Sequence, residues 1–152
     1  MKTLAKAVAF NTLAVTGSQA FAYELGNGFE VSANVGAVSN YMWRGASQTS
    51  NEAAVQGGVD LKHSSGAFIG TWVSSVDFDL APDADTEQDF YVGYGFEVGK
   101  FSFELKRTEY YYASANALDF GETHAHVKAS DEKLGALTIG VDWTSQSLLD
   151  TL

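Results

Sequence analysis

Apolar and polar residues alternate with a period of two along almost the whole chain after residue 23, and helical periodicity is nearly absent. The first alternating segment, 29–43, sets Phe29, Val31, Ala33, Val35, Ala37, Tyr41 and Trp43 on one face. Glu30, Ser32, Asn34, Gly36, Asn40 and the following Arg44 fall on the other. Further segments are expected at 54–63 (Val55, Val59 and Leu61 against Gln56, Asp60 and Lys62) and at 67–78 (Phe68, Trp72, Val76 and Phe78 against a mixed face). The segment 89–98 alternates most cleanly, with Phe90, Val92, Tyr94, Phe96 and Val98 opposite Asp89, Tyr91, Gly93, Gly95 and Glu97. Segment 101–112 opposes Phe101, Phe103, Leu105 and Tyr111 to Ser102, Glu104, Lys106, Thr108 and Tyr110. In 119–129, Glu122, His124, His126 and Lys128 share a face, and 134–144 places Leu137, Ile139, Val141 and Trp143 together.

These seven segments are joined by connections of alternating length. Ser64-Ser65-Gly66, Gly99-Lys100 and Ser130–Lys133 are tight turns, whereas 45–53, 79–88 and 113–118 are longer polar loops. Short turns at one end and long loops at the other are the layout of an outer-membrane barrel, and strands of this length suit a tilted membrane strand of about 9–11 residues. The expectation is an all-β chain: an antiparallel up-and-down meander of about seven strands over residues 23–144, forming a partial outer-membrane-type β-barrel. Residues 145–152 form a non-barrel tail. Seven is odd where such barrels are usually even, and no alternating strand follows Trp143, so a longer barrel truncated at its C-terminal side is expected.

Residues 1–22 read differently. Lys2 and Lys6 precede an apolar run from Ala7 to Val15, and Ala20-Phe21-Ala22 supplies an A-x-A site. This is the pattern of a signal-peptide helix cleaved after Ala22, and the run is too short for a spanning anchor. Loss of the two lysines takes the formal net charge from −10 to −12. So acidic a chain is ill suited to nucleic acid, whose phosphates require Lys and Arg. With 0 cysteines there is no disulfide, thiol nucleophile or thiolate metal site, and export to the outer membrane of a Gram-negative bacterium is expected.

Alternation alone fits a soluble, lipocalin-like ligand-binding barrel as well. Two features favour the membrane. One face carries glycine, hydroxyls and opposed charges suited to a hydrated lumen, with Arg44, Asn34, Asp60, Lys62, Glu97, Glu104, Lys106, Glu122, His124, His126 and Lys128 as its candidate lining. Aromatics gather near strand ends, and Tyr41, Trp43, Trp72, Phe78, Phe90, Tyr111 and Trp143 are the candidates for an interfacial girdle.

Residues 29–78 carry a resemblance: Ser39-Asn40-Tyr41 with Arg44-Gly45 and Ser47-Gln48-Thr49, then Ala54–Gly58, Asp60, His63, Ser65-Gly66 and Gly70-Thr71-Trp72 with Ser74. Asp89, Gly93-Tyr94 and Phe120-Gly121-Glu122 extend it. Over these positions the chain resembles the TorF family of porin-like proteins, also described as Gcw_chp, a proteobacterial family of unknown function. The resemblance implies passive passage of small solutes by a complete barrel, with lipid, lipopolysaccharide and further copies of the chain as partners. It supplies no catalytic residues. Members often carry Tyr-Pro-Gly where this chain has Tyr112-Ala113-Ser114, and continue into further strands.

Local chemistry is sparse. Arg44 is either a lumen arginine or a pairing residue. His124 and His126 have chelating spacing with Glu122 beside them, but no fourth ligand nearby, so no metal is assigned. His63 sits beside a tight turn. The loop "DLAPDADTEQD" (79–89), with Asp79, Asp83, Asp85, Glu87 and Asp89, lacks EF-hand spacing and reads as a solvated acidic loop. "GYGFEVG" (93–99) has glycines but no strand-to-helix step, so no dinucleotide loop follows, and no hydrolase or zincin signature occurs. Neither enzymatic activity nor a cofactor is expected.

Overall fold

The computed structural model describes residues 19–78, 83–113, 115, 118–131 and 135–146. Its elements are β1 (Gln19–Gly26), β2 (Phe29–Val38), β3 (Met42–Trp43), β4 (Ala46–Ser47), β5 (Ala54–His63), β6 (Ala67–Ser75), β7 (Thr86–Val98), β8 (Phe101–Tyr112), β9 (Phe120–Asp131) and β10 (Gly135–Gln146). Eight of them form one antiparallel sheet in chain order, β1-β2-β5-β6-β7-β8-β9-β10, and β3 and β4 pair separately. The all-β meander is therefore observed. The sheet is not closed into a barrel: β1 and β10 are its two ends, with no pairing to each other among the described residues.

Two elements depart from the alternation pattern. Strand β1 lies before the first expected strand, begins within the expected leader, and pairs across Ala22 by placing Phe21 opposite Ala33 and Tyr23 opposite Val31. Its hairpin turns through Gly26, Asn27 and Gly28, all at positive φ. Asn-Gly is a strong hairpin signal, because a two-residue turn matching strand twist requires left-handed backbone that these residues adopt cheaply. The segment 29–43 is also not one strand. β2 ends at Val38, and Arg44 and Gly45, both at positive φ, turn β3 back onto β4.

Register fixes the two faces. On the outward face stand Val55, Val59, Ile69, Val73, Phe90, Val92, Leu105, Ile139 and Val141, all substantially exposed. The opposite face carries Ser32, Asp60, Ser74, Glu87, Glu122 and His124, several of them deeply buried. Side chains that face each other across a ladder lie on one side of the sheet. Trp72 stands opposite Gly58 and Asp89 and is therefore on the polar face, so the mixed face of 67–75, with Ile69 and Val73, is the outward one. Large aromatic side chains, which alternation assigns outward, are on β6 turned inward.

Glycines make room for those rings. Tyr91 covers Gly70, Phe68 covers Gly93, Trp72 lies against Gly58 and His126 covers Gly140, each ring facing the glycine directly opposite on the next strand. Lying over Gly70 brings the Tyr91 hydroxyl within 2.7 Å of Asp60 Oδ1, two strands away. A methyl group at residue 70 would strike this ring. Gly70→Ala is expected to cost about 1–3 kcal/mol in urea unfolding through overpacking, and a change within about 0.5 kcal/mol of wild type would show that the ring moves aside freely.

Candidate functional site

The long loops fold inward over one end of the polar face. Segment 39–53 is locked on itself by Tyr41 N–H donating to Thr49 Oγ1 (3.2 Å), Ser47 Oγ donating to Asn40 Oδ1 (2.6 Å) and Thr49 Oγ1 donating to the Glu52 carbonyl (2.7 Å). It is tied to the β6–β7 loop by Asp77 N–H donating to the Gln48 carbonyl (2.9 Å). Apolar burial concentrates here rather than between two layers. Val38, Tyr41, Ala54, Val76, Ala84, Tyr110 and Tyr112 form the buried cluster, with Trp43, Trp72, Phe78 and Phe120 packed against it.

Tyr41, Trp72 and Phe78 therefore belong to this interior cluster and not to an outward girdle. Tyr41 meets Trp72 edge-on (5.4 Å between ring centres), Phe78 meets Tyr112 (5.8 Å), and Tyr110 stacks on Phe120 (4.4 Å). Trp43 rides on the β3–β4 hairpin and packs against Phe120. Of the seven girdle candidates, Phe90, Tyr111 and Trp143 remain on the outward face. Tyr41, Trp43, Phe78, Tyr110, Tyr112 and Phe120, with Gln48 and Glu87, line a cavity of about 350 Å³.

Glu87 is the buried carboxylate of that lining, 2 % exposed. It accepts from the Tyr41 hydroxyl (2.9 Å) and the Tyr112 hydroxyl (2.6 Å). Burial, and then the Glu87 charge, push the Tyr41 phenol far above its ordinary value, so it remains a donor. The expectation of a solvated acidic loop across 79–89 is corrected here for its C-terminal part. Glu87 and Asp89 lie in β7 on the polar face, and Asp89 Oδ1 is buried without a hydrogen-bond partner among the described residues. Asp79 lies outside the described residues.

A second cluster adjoins the cavity at β9 and β10. The hairpin turn carries Arg44 across the sheet to Glu122, with Nη1 to Oε1 at 2.7 Å and Nη2 to Oε2 at 3.2 Å, and on to Asp142 Oδ2 at 3.3 Å. Its guanidinium also lies 4.2 Å over the Trp43 ring. Glu122, 1 % exposed, accepts further from Thr144 Oγ1 (3.1 Å) and Tyr110 (3.4 Å). Asp142 Oδ1 lies 2.9 Å from His124 Nδ1 and 2.8 Å from His126 Nε2. The bidentate pair satisfies a buried carboxylate that would otherwise be costly.

Arg44→Ala is expected to lower unfolding stability by about 1–2 kcal/mol, a charge-assisted bond discounted because the arginine is half exposed. Arg44→Gly should recover about 1 kcal/mol of that loss, since residue 44 has φ near 48°. Equal losses for the two variants in urea unfolding would show that backbone strain plays no part.

The structure brings Arg44, Glu122, His124 and His126 together and adds Asp142, which sequence spacing left on a separate segment. The register Asp142 opposite His124 makes the connection. Asn34, Asp60 and Lys62 share the polar face but stand on β2 and β5, away from this cluster. Glu97, Glu104, Lys106 and Lys128 also take the polar face, Glu104 opposite His126, Lys106 opposite His124, and Glu97 and Lys128 each opposite Ser102. Arg107 and Glu109 stand on the outward face of β8, where they break its apolar run. Arg107 Nε bonds Glu109 Oε1 at 2.6 Å, and Nη1 reaches Ser145 Oγ at 2.9 Å. Their pairing interrupts the apolar surface towards the long-loop end.

A family profile described as "Bacterial protein of unknown function (Gcw_chp)" matches residues 22–148. The chain belongs to this family. No curated protein and no solved structure matches it. Residues 22–148 take in nearly the whole sheet, so the Gcw_chp match covers the folded-in hairpin, the cavity and the β9–β10 cluster together.

Proposed function

We propose that this Gcw_chp chain forms the wall of a porin-like β-barrel in the outer membrane of a Gram-negative bacterium, delivered there by a leader over residues 1–22, so that the delivered chain keeps only Tyr23–Gly26 of β1. In this reading it is not an enzyme and passes small solutes through a polar interior. The observation that carries the reading is the two-sided sheet. Strand after strand turns Val, Ile, Leu and Phe outward into exposure, while charged and hydroxyl side chains line the other face. A soluble sheet would have to cover so much contiguous apolar surface, whereas lipid does so directly.

Lipid also demands that strand edges be paired, since unsatisfied backbone groups in hydrocarbon cost several kcal/mol each. β1 and β10 are the edges here. Closure therefore calls for additional strands or additional copies, and the partners proposed are outer-membrane lipid, lipopolysaccharide and the chain itself. The folded-in 39–53 segment narrows the interior at the long-loop end, where an eyelet would sit.

Expression with the leader in a Gram-negative host tests the location: the reading requires recovery in the outer-membrane fraction with heat-modifiable gel mobility, and recovery as a soluble periplasmic protein would overturn it. Planar-bilayer recording tests the pore separately. Conductance is expected from self-associated chain or from family members with further strands, and a silent bilayer with folded, closed assemblies would leave a structural outer-membrane protein.

A further inference from the structure

The geometry points to a divalent transition-metal site formed by His124, His126 and Asp142 on the polar face of β9 and β10. Alternation puts the two imidazoles on one side of β9, and the β9–β10 register brings Asp142 directly opposite His124. The three residues offer donor atoms that all lie within 4.8 Å of one another. Asp142 Oδ1 is 2.9 Å from His124 Nδ1 and 2.8 Å from His126 Nε2. Donors held by one ion at about 2.0–2.2 Å are separated by about 2.8–3.6 Å at octahedral to tetrahedral angles. Small rotations of exposed Asp142 and half-buried His126 therefore suffice to admit an ion.

An independent observation concerns the far side of His124. The His124 side chain is only 10 % exposed, and its Nε2 has no hydrogen-bond partner among the described residues. It points to Glu122 Oε2 at 3.8 Å. A histidine that binds metal through one nitrogen commonly directs its other N–H to a carboxylate, which fixes the tautomer. With Nδ1 on the ion, His124 Nε2 carries its proton towards Glu122. Gly140 completes the arrangement, since its missing side chain lets the His126 ring lie flat against β10.

Imidazole and carboxylate together select Zn(II), Cu(II) or Ni(II) over calcium and magnesium, which prefer oxygen alone. Three protein ligands leave a further position to water. Arg44 opposes binding: its guanidinium sits on Glu122 and on Asp142 Oδ2, leaving only Oδ1 to the ion. The site is thus tuned by the hairpin, and removal of the Arg44 charge should tighten it. None of this depends on whether the chain forms a pore.

The test is Zn(II) titration by calorimetry of the tag-free protein folded in zwitterionic detergent. One equivalent is expected to bind. His126→Ala and Asp142→Asn should each weaken binding at least about tenfold, and Glu122→Gln by about 10–100-fold as an orienting partner. Arg44→Gln should strengthen it several-fold. His63→Ala, at the opposite end of the sheet, serves as control and should bind as wild type. Because His126 and Asp142 are partly exposed, their variants are expected to keep native gel mobility, so loss of binding reads on the site. Wild-type binding no tighter than that of His126→Ala and Asp142→Asn, or loss in His63→Ala, would overturn the assignment.

Discussion

Glu87→Ala is expected to destabilise the folded protein by roughly 2–6 kcal/mol, because it strands two buried tyrosine hydroxyls at about 1–3 kcal/mol each. Tyr41 and Tyr112 both donate to Glu87, and all three side chains are under a tenth exposed. Tyr41 belongs to the folded-in segment, Glu87 to β7 and Tyr112 to β8, so the carboxylate is the point through which loop and sheet hold each other. Glu87→Gln keeps an acceptor oxygen and should cost only about 1 kcal/mol. Urea unfolding followed by tryptophan fluorescence measures both, with Trp43 and Trp72 in the same cluster. A loss under about 0.5 kcal/mol for the alanine variant would place Glu87 outside any such role.

Val92→Arg separates the membrane reading from a soluble one. Val92 is the middle residue of β7, faces outward beside Ile69 and is 55 % exposed. Near the bilayer midplane an outward arginine costs about 2–4 kcal/mol. In water the same change at an exposed strand position stays within about 0.5 kcal/mol. Reversible folding into lipid vesicles is therefore expected to weaken by the larger amount. A near-neutral effect there would remove the apolar face as the argument for lipid.

Much of the sheet was legible from alternation. The boundaries 54–63 and 101–112 coincide with β5 and β8, whereas β7 begins at Thr86 inside the expected loop 79–88, β4 lies inside the expected loop 45–53, and β10 runs to Gln146, into the expected tail. One failure comes from period two itself, which says that faces alternate but not which face is which. On β6 the bulkier face turned inward, because glycines at residues 58 and 93 open notches for Trp72 and Phe68. Tyr41 and Trp43 kept the alternation in sequence but left the strand, since Arg44-Gly45 forms a left-handed turn that is a weaker written signal than Asn-Gly. Asn27-Gly28 is such a signal, but it directly follows the leader-like segment 1–22, and β1 itself begins inside that segment. Glu87 looked solvated because its neighbours are acidic, and only the arrival of Tyr41 from forty-six residues away shows otherwise. His124 and His126 were visible as a pair, while Asp142 required the register.

The ring-over-glycine contacts bind residues whose fates are then joined. Tyr91 can lie flat only while residue 70 has no side chain, and the same holds for Phe68 with Gly93 and His126 with Gly140. Among Gcw_chp sequences such positions should drift in concert: a larger residue at the glycine should arrive with a smaller one opposite. The polar face would then carry its own record of pairings, one in which β-neighbours can be recognised by what each leaves room for.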